Sequence, residues 1–327
     1  MKEYVIGPLN EGLRLDKQLI KILNNAPAGF VYKMLRKKNI TLNGKKASGS
    51  ERLKSGDIIR IFLSDDTFDL MSSDRSGVIV SDTHGVDFAD FIIYEDIDII
   101  ILNKPSGLLS QRASKDDISV NELGLKYLMD KGEIDKETLK VFKPSICNRL
   151  DRNTSGIMIF AKTYICANAV SAMLKDHSLK KHYKCFVSGK VNERVTLDGF
   201  LIKDERTNRV SVLNRSVPGS SRIVTSYEPA KSYDDHTLID VELITGKTHQ
   251  IRAHLASVKH PILGDAKYGD RGLNDILRSK YGITSQMLHA GSLTMPCDMP
   301  KGLKHLEART FLAPLPDEFN KMEVSVI

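Results

Sequence analysis

Between residues 64 and 98 the chain carries ten acids and the single base Arg75, and this acidic interruption constrains the fold more than any other feature. Residues 1–63 hold 13 Lys and Arg against five Asp and Glu, and residues 99–327 hold 34 against 26. Two basic bodies therefore flank an acidic connector. The connector core, SDDTFDLMSSDRSGVIVSDTHGVDFAD (64–90), is rich in Ser, Asp and Gly with little helical periodicity, which predicts a solvated linker. The 327 residues suffice for a small domain over 1–63 and a larger one over 91–327.

Composition narrows the function classes. Apolar residues make up 41% and charged residues 27%, ordinary globular values, and no stretch approaches the ~20 consecutive apolar residues that cross a bilayer. The start MKEYVIGPLN has no basic segment followed by an apolar run and a small-residue cleavage site, so a cytoplasmic protein without membrane contact is expected. Cys147, Cys166, Cys185 and Cys297 are too sparse for a disulfide framework and too widely spaced for a CxxC pair; reduced, inert thiols are expected. A net charge of +7 hints at a polyanionic partner.

In the first body, RLDKQLIKIL places Leu15, Leu19, Ile22 and Leu23 at helical spacing, and FVYKMLRKKN continues as a second, basic helix. ITLNGKKASGSERLKSGDIIRIFL then reads as a strand, an Asn43-Gly44 turn and a closing strand over 58–63. Lys33, Arg36, Lys37, Lys38, Lys45 and Lys46 would form a basic helix edge beside a basic turn, suited to duplex phosphates; a merely solvated charged face is the plain alternative. This order of elements, over about residues 12–62, resembles the alpha-L RNA-binding domain named after small ribosomal protein S-four.

The second body is strand-rich: FIIYED, DIIILNKP and GIMIFAK, with turn residues between them. Thr163 is placed to cap a helix whose apolar positions Cys166, Ala169, Val170, Met173 and Leu174 keep helical spacing. HYKCFVSGKV and TLIDVELIT alternate as half-buried strands, the latter through Thr237, Ile239, Val241 and Leu243. The expected fold is α+β with an antiparallel or mixed sheet.

Common cofactor chemistries fail on spacing. His249 and His254 stand five apart, as do His177 and His182, not the four that one zinc-binding helix face requires. Gly246-Lys247-Thr248 resembles the end of a phosphate-binding loop, but the first glycine of that loop would fall at Val241. No G-x-S-x-G elbow occurs. What remains are four polar segments set among apolar strands: LNKPSGLLSQ (102–111), NRLDRNTSG (148–156), KHYKCFVSG (181–189) and TGKTHQIRAHL (245–255). In the second, Asp151 lies between two arginines before a Thr-Ser-Gly turn. Guanidinium neighbours favour the charged form of a carboxylate, and an ionised, positioned carboxylate can act as a nucleophile. For Asp151 alone, a turn-capping role is the plain alternative.

Taken together, the NRLDRNTSG turn, the Lys-His-Tyr strand and GKTHQIRAHL resemble the RluA-type pseudouridine synthase family, with four motifs in the family's order over about 94–290, ending at LHAGSL (288–293). The resemblance implies isomerisation of uridine in structured RNA: the glycosidic bond breaks, the uracil rotates and rejoins through carbon 5, with no cofactor or metal. It implies Asp151 as the catalytic aspartate, Arg252 as its basic partner and Tyr183 as the tyrosine that stacks on the target base. Arg149 would fill the gap left by a flipped uridine. Asn148, Thr154, Lys247 and His249 would support the turn or contact RNA, and Lys104 and Pro105 would be structural or phosphate-facing. Two positions depart from the family pattern: Asn148 stands where His is common, and Lys247 where Arg is more usual.

Large-subunit ribosomal RNA is the substrate that the resemblance favours, with transfer RNA a second choice. A monomer without an obligatory protein partner is expected. Two other readings stay open on sequence alone: a non-catalytic RNA-binding or ribosome-assembly factor, and a nucleoside hydrolase that would release free uracil.

Overall fold

The computed structural model describes residues 1–72, 85–114, 117–135, 138–139 and 142–322. The first body runs β1 (Lys2–Val5), α1 (Leu15–Ile22), α2 (Ala28–Arg36), β2 (Ile40–Leu42), β3 (Lys45–Lys46) and β4 (Ile58–Ile61). Leu15, Leu19 and Ile22 of α1 and Val31, Met34 and Leu35 of α2 are buried, because spacings of three and four put them on one helix face. They pack on a sheet of order β1-β4-β2-β3, through Ile40, Ile59 and Ile61. Asn43 and Gly44 join β2 to β3 with φ of 51° and 73°, the left-handed pair that a two-residue hairpin turn needs. Strand β1 was not expected from the sequence; its four residues, KEYV, are mostly exposed at the sheet edge and carry no apolar alternation.

The segment read as linker begins with structure. Residues 65–71 form α3 (Asp65–Met71), whose first turn carries Asp65 and Asp66, favourable at a helix N-terminus, and whose cap Ser64 accepts the Thr67 amide. Phe68 is buried against the first core. The middle of that segment, 73–84, lies outside the described residues.

The larger body contains β5 (Ile92–Glu95), β6 (Ile99–Lys104), α4 (Val120–Asp130), β7 (Ser145–Ile146), β8 (Ser155–Ala161), α5 (Tyr164–Lys175), β9 (Lys180–Ser188), β10 (Val195–Asp204), β11 (Arg209–Leu213), β12 (Ser221–Ser232), β13 (His236–Leu243), α6 (Gln250–Ser257), α7 (Arg271–Tyr281), β14 (Leu288–Thr294), β15 (Thr310–Leu312) and α8 (Asp317–Asn320). Its strands form one mixed sheet in the order β11-β10-β12-β13-β9-β14-β8-β6-β5, with β15 on β14 and β7 on β8. This is the expected α+β architecture. All the pairings are antiparallel except β14 with β8.

Strands β6 and β8 read as unbroken apolar runs because both faces of the sheet are covered. Ile100, Leu102, Met158 and Phe160 enter one core with α4, α6 and α7, while Ile99, Ile101, Ile157 and Ile159 enter a second core with α5. Each such side chain contributes about 1.5–3 kcal/mol by leaving water. Helix α5 starts where expected, with Thr163 Oγ1 accepting the Cys166 amide at 3.3 Å, and buries Cys166, Ala169, Val170 and Met173. Among the described residues no helix is long and apolar enough to cross a membrane. The two bodies touch, with Lys21 Nζ 5.5 Å from the Phe142 ring centre.

Candidate active site

The four polar segments of the sequence converge on one cleft of about 1730 Å³. Its walls carry ten Lys and Arg residues and one acid, Asp151. Such a cleft concentrates positive potential, the property that draws a polyanion.

Asp151 sits on the turn leading into β8, closed by the Thr154 amide donating to the Asp151 carbonyl at 3.0 Å. The 102–111 segment scaffolds this turn from behind. The Lys104 ammonium, wholly buried, donates to the carbonyls of Pro105, Leu108 and Arg152 at 2.7–2.9 Å. Burial pushes it down to about 7, with Asp151 pulling the other way. Ser110 Oγ donates to the Leu150 carbonyl at 2.7 Å, and Ser106 Oγ to that of Asn153 at 3.0 Å. Gly156 closes the turn at φ 111°, where a Cβ would lie 2.3 Å from the Ala290 carbonyl oxygen; only glycine lets β14 approach so closely.

Arg252 comes from the first turn of α6 and donates from Nη1 to Asp151 Oδ2 at 2.7 Å. Its Nε and Nη2 form a two-pronged pair with Asp265, at 2.7 and 2.8 Å. Burial disfavours the guanidinium charge, but Asp265 and Asp151 outweigh it and raise its affinity for the proton. Burial would likewise raise the Asp265 carboxyl, yet Arg252 and the amides of Lys267 and Tyr268 hold it below the usual range. His249, three residues before Arg252, lies on the same side of the helix start, with Nε2 3.9 Å from Asp151 Oδ2. It adopts a left-handed conformation with φ 53°.

Tyr183 projects from β9, opposite Val241 of β13, and lines the cleft. Its side chain is 7% exposed, and burial, then the Asp151 charge, raise its phenol above the ordinary value. Arg149, exposed, and Lys247, exposed at the loop before α6, also line the cleft. Asn148 reaches it too, but its amide is engaged by β8: Oδ1 accepts the Ile159 amide at 2.8 Å and Nδ2 lies 3.5 Å from the Ile157 carbonyl. Thr154 is 2% exposed and receives a hydrogen bond from Gln286 at 3.3 Å. The structure therefore brings Asn148, Arg149, Asp151, Thr154, Tyr183, Lys247, His249 and Arg252 to one cleft. Lys33, Arg36, Lys37, Lys38 and Lys45 stand apart from it, exposed on α2, just past its end and at the start of β3.

Sequence reasoning missed Asp265 and Tyr268. The available signal was a single aspartate between two glycines in LGDAKYG, directly after the apolar pair Ile262-Leu263. Among the described residues, one group has ligand atoms close enough together for a metal: Asp96, Asp98 and His305, away from the cleft. Asp96 is already occupied by the Tyr94 hydroxyl, His305 Nε2 and the amides of Asp98 and Ile99.

A model of the family described as RNA pseudouridylate synthase matches residues 98–257. The chain is 30% identical to "Ribosomal large subunit pseudouridine synthase C" of Buchnera aphidicola subsp. Baizongia pistaciae over 290 residues, covering 87% of this chain and 86% of the relative. It is 32% identical to the protein of that name in Rickettsia bellii over 326 residues, covering 94% and 96%. The solved structure of "Human RNA Pseudouridylate Synthase Domain Containing 4" superposes with a TM-score of 0.57 at 24% identity, covering 72% of this chain and 92% of that one, a likeness of fold. With relatives above 30% identity matched along nearly their whole length, the chain belongs to the RluA-type RNA pseudouridylate synthase family.

Proposed function

We propose that this pseudouridine synthase acts on large-subunit ribosomal RNA in the cytoplasm, as a monomer, with Asp151 as its reacting carboxylate. The observation that carries the reading is the 2.7 Å Arg252–Asp151 pair in a cleft whose other charged side chains are all Lys and Arg. Arg252 holds Oδ2, leaving Oδ1 for the ribose, either by attack on C1′ or by removal of a ribose proton. The N1–C1′ bond breaks, the uracil turns, and C5–C1′ forms; C5 gives up its proton and N1 gains one. The change is an isomerisation and requires no co-reactant. Tyr183 offers its ring to the base, Arg149 fills the vacated stack, and Lys247 meets phosphate. The first body, with its exposed cations on α2, just past its end and at the start of β3, serves as the alpha-L grip on structured RNA.

The test is Asp151→Asn, assayed for pseudouridine in synthetic RNA and for RNA affinity. Loss of turnover with affinity within a few fold is expected; full turnover would overturn the assignment. Mapping pseudouridine in cells with and without the gene then identifies the substrate. Loss of sites in large-subunit ribosomal RNA is expected, whereas loss confined to transfer RNA would replace the substrate without touching the chemistry. Free uracil in stoichiometric amount would instead mark a hydrolase.

A further inference from the structure

Tyr268, three residues after Asp265, stands between two guanidinium groups and two hydrogen-bonding partners. Its ring centre lies 5.2 Å from Arg252 Cζ and 5.4 Å from Arg209 Cζ. Its hydroxyl oxygen accepts the amide of Val210 on β11 at 2.9 Å and stands 2.9 Å from His249 Nδ1. A backbone amide only donates, so Val210 occupies a lone pair, and the single hydroxyl proton is available to Nδ1. The opposite arrangement, Nδ1–H donating to the phenol, would leave that proton with no protein acceptor among the described residues. An imidazole nitrogen that accepts is unprotonated, which puts the neutral ring's proton on Nε2. Burial lowers the His249 pKa from 6.5, against the pull of Asp151, and so favours the neutral ring.

Nε2 faces Asp151 Oδ2 at 3.9 Å, the oxygen already held by Arg252. Among the described residues, Asp151 Oδ1 takes no hydrogen bond. We propose that Tyr268 and His249 are positioning residues: Tyr268 fixes His249 as the Nε2–H tautomer, and this N–H joins Arg252 in restraining Oδ2 so that Oδ1 is the reacting atom. The proposal rests on Asp151 being the reacting carboxylate. A small shift of the imidazole ring would bring the 3.9 Å separation to hydrogen-bonding distance. Because Val210 belongs to the β10–β11 hairpin, whose Lys203 lines the cleft, the same hydroxyl ties that RNA-facing arm to the carboxylate.

The experiment is long-range proton–nitrogen correlation on the full chain with labelled histidine, the His249 signals being assigned by their absence in His249→Gln. The wild type should show the Nε2–H tautomer at His249. Tyr268→Phe keeps the ring and removes the hydroxyl; it should shift the tautomer toward Nδ1–H and lower kcat about tenfold or more, with KM within about twofold. His249→Gln, whose amide can put an N–H at the Nε2 position, should retain more activity than His249→Ala. An Nδ1–H wild type overturns the proposal, as does a Tyr268→Phe variant with unchanged tautomer and kcat, or equal losses in the two His249 variants. The tautomer is read without substrate. A fully active Asp151→Asn would therefore sink the catalytic reading while leaving the hydrogen-bond result standing. Unchanged signals from the other eight histidines would show that Tyr268→Phe is folded.

Discussion

Arg252 grips Asp265 with two hydrogen bonds, at 2.7 and 2.8 Å, and offers Asp151 only one, at 2.7 Å. The wholly buried Asp265 is thus the anchor, and Arg252 is presented to the cleft by it. Removing one partner of a buried ion pair strands the other, so Asp265→Asn should destabilise the fold by about 3–5 kcal/mol in urea titrations. Its kcat should fall about 100-fold through misplacement of Arg252. Wild-type kcat in this variant would show that Arg252 is held by something else.

Gly156→Ala should be among the most damaging single-methyl changes in the chain. Its φ of 111° and the 2.3 Å approach to the Ala290 oxygen leave no room, and the obstacle is backbone, not a flexible side chain. A loss above about 4 kcal/mol is expected, measured by thermal melting, or failure to accumulate as soluble protein. A melting point unchanged from wild type would contradict the close strand approach.

His289 predicts an acid limb of stability. Burial lowers its imidazole to about 4, while Ser155 Oγ lies 2.9 Å from Nδ1. Between pH 6.5 and 4 the unfolded chain therefore binds the proton more readily than the native one, so stability falls as pH drops through that window. The full loss amounts to about 3 kcal/mol, since each tenfold difference in proton affinity between the two states is worth about 1.4 kcal/mol. Urea titrations of wild type and His289→Gln at pH 7 and pH 4.5 should show a smaller pH effect in the variant. Parallel behaviour would assign the acid limb to other groups.

Replacing Lys33, Arg36, Lys37 and Lys45 together by Gln should weaken binding to long structured RNA and lower its salt dependence, by about 0.7–0.9 in log–log slope for each phosphate left unneutralised. These side chains are exposed and carry no packing role. The melting point should not move, and turnover on a short stem-loop should persist. An unchanged salt slope would remove the first body from the RNA interface.

Local pattern made much of this molecule legible. Thr163 and its apolar helix positions, the alternation through Thr237, Ile239 and Val241, and the Asn43-Gly44 turn all depend on neighbours within a few residues. So did the Asp151 turn, whose charges stand side by side in the chain. Partnerships across long separations were not legible from local pattern; the Arg252–Asp151 pair came only through the family resemblance. Nothing near Asp265 indicates that it meets Arg252, and nothing near Tyr268 announces Val210 or His249. Asn148 looked free to face a ligand, whereas its amide is occupied by a strand nine to eleven residues onward. The acidic composition over 64–72 suggested solvent, but one buried Phe68 and a Ser64 cap suffice to order a short helix there.

The β8–β14 contact also sets an order of events in synthesis. Ser155 on β8 and His289 on β14 are 134 residues apart; β6 and β7, earlier in the chain, can pair with β8 first, but its β14 edge stays open until the later strand is present. A chain still being translated can form its N-terminal body and display those cations long before residue 288 emerges. On the roles proposed above, the hold on RNA would arise early and the rearranging site would be completed last, so an unfinished polypeptide would occupy a transcript without altering it.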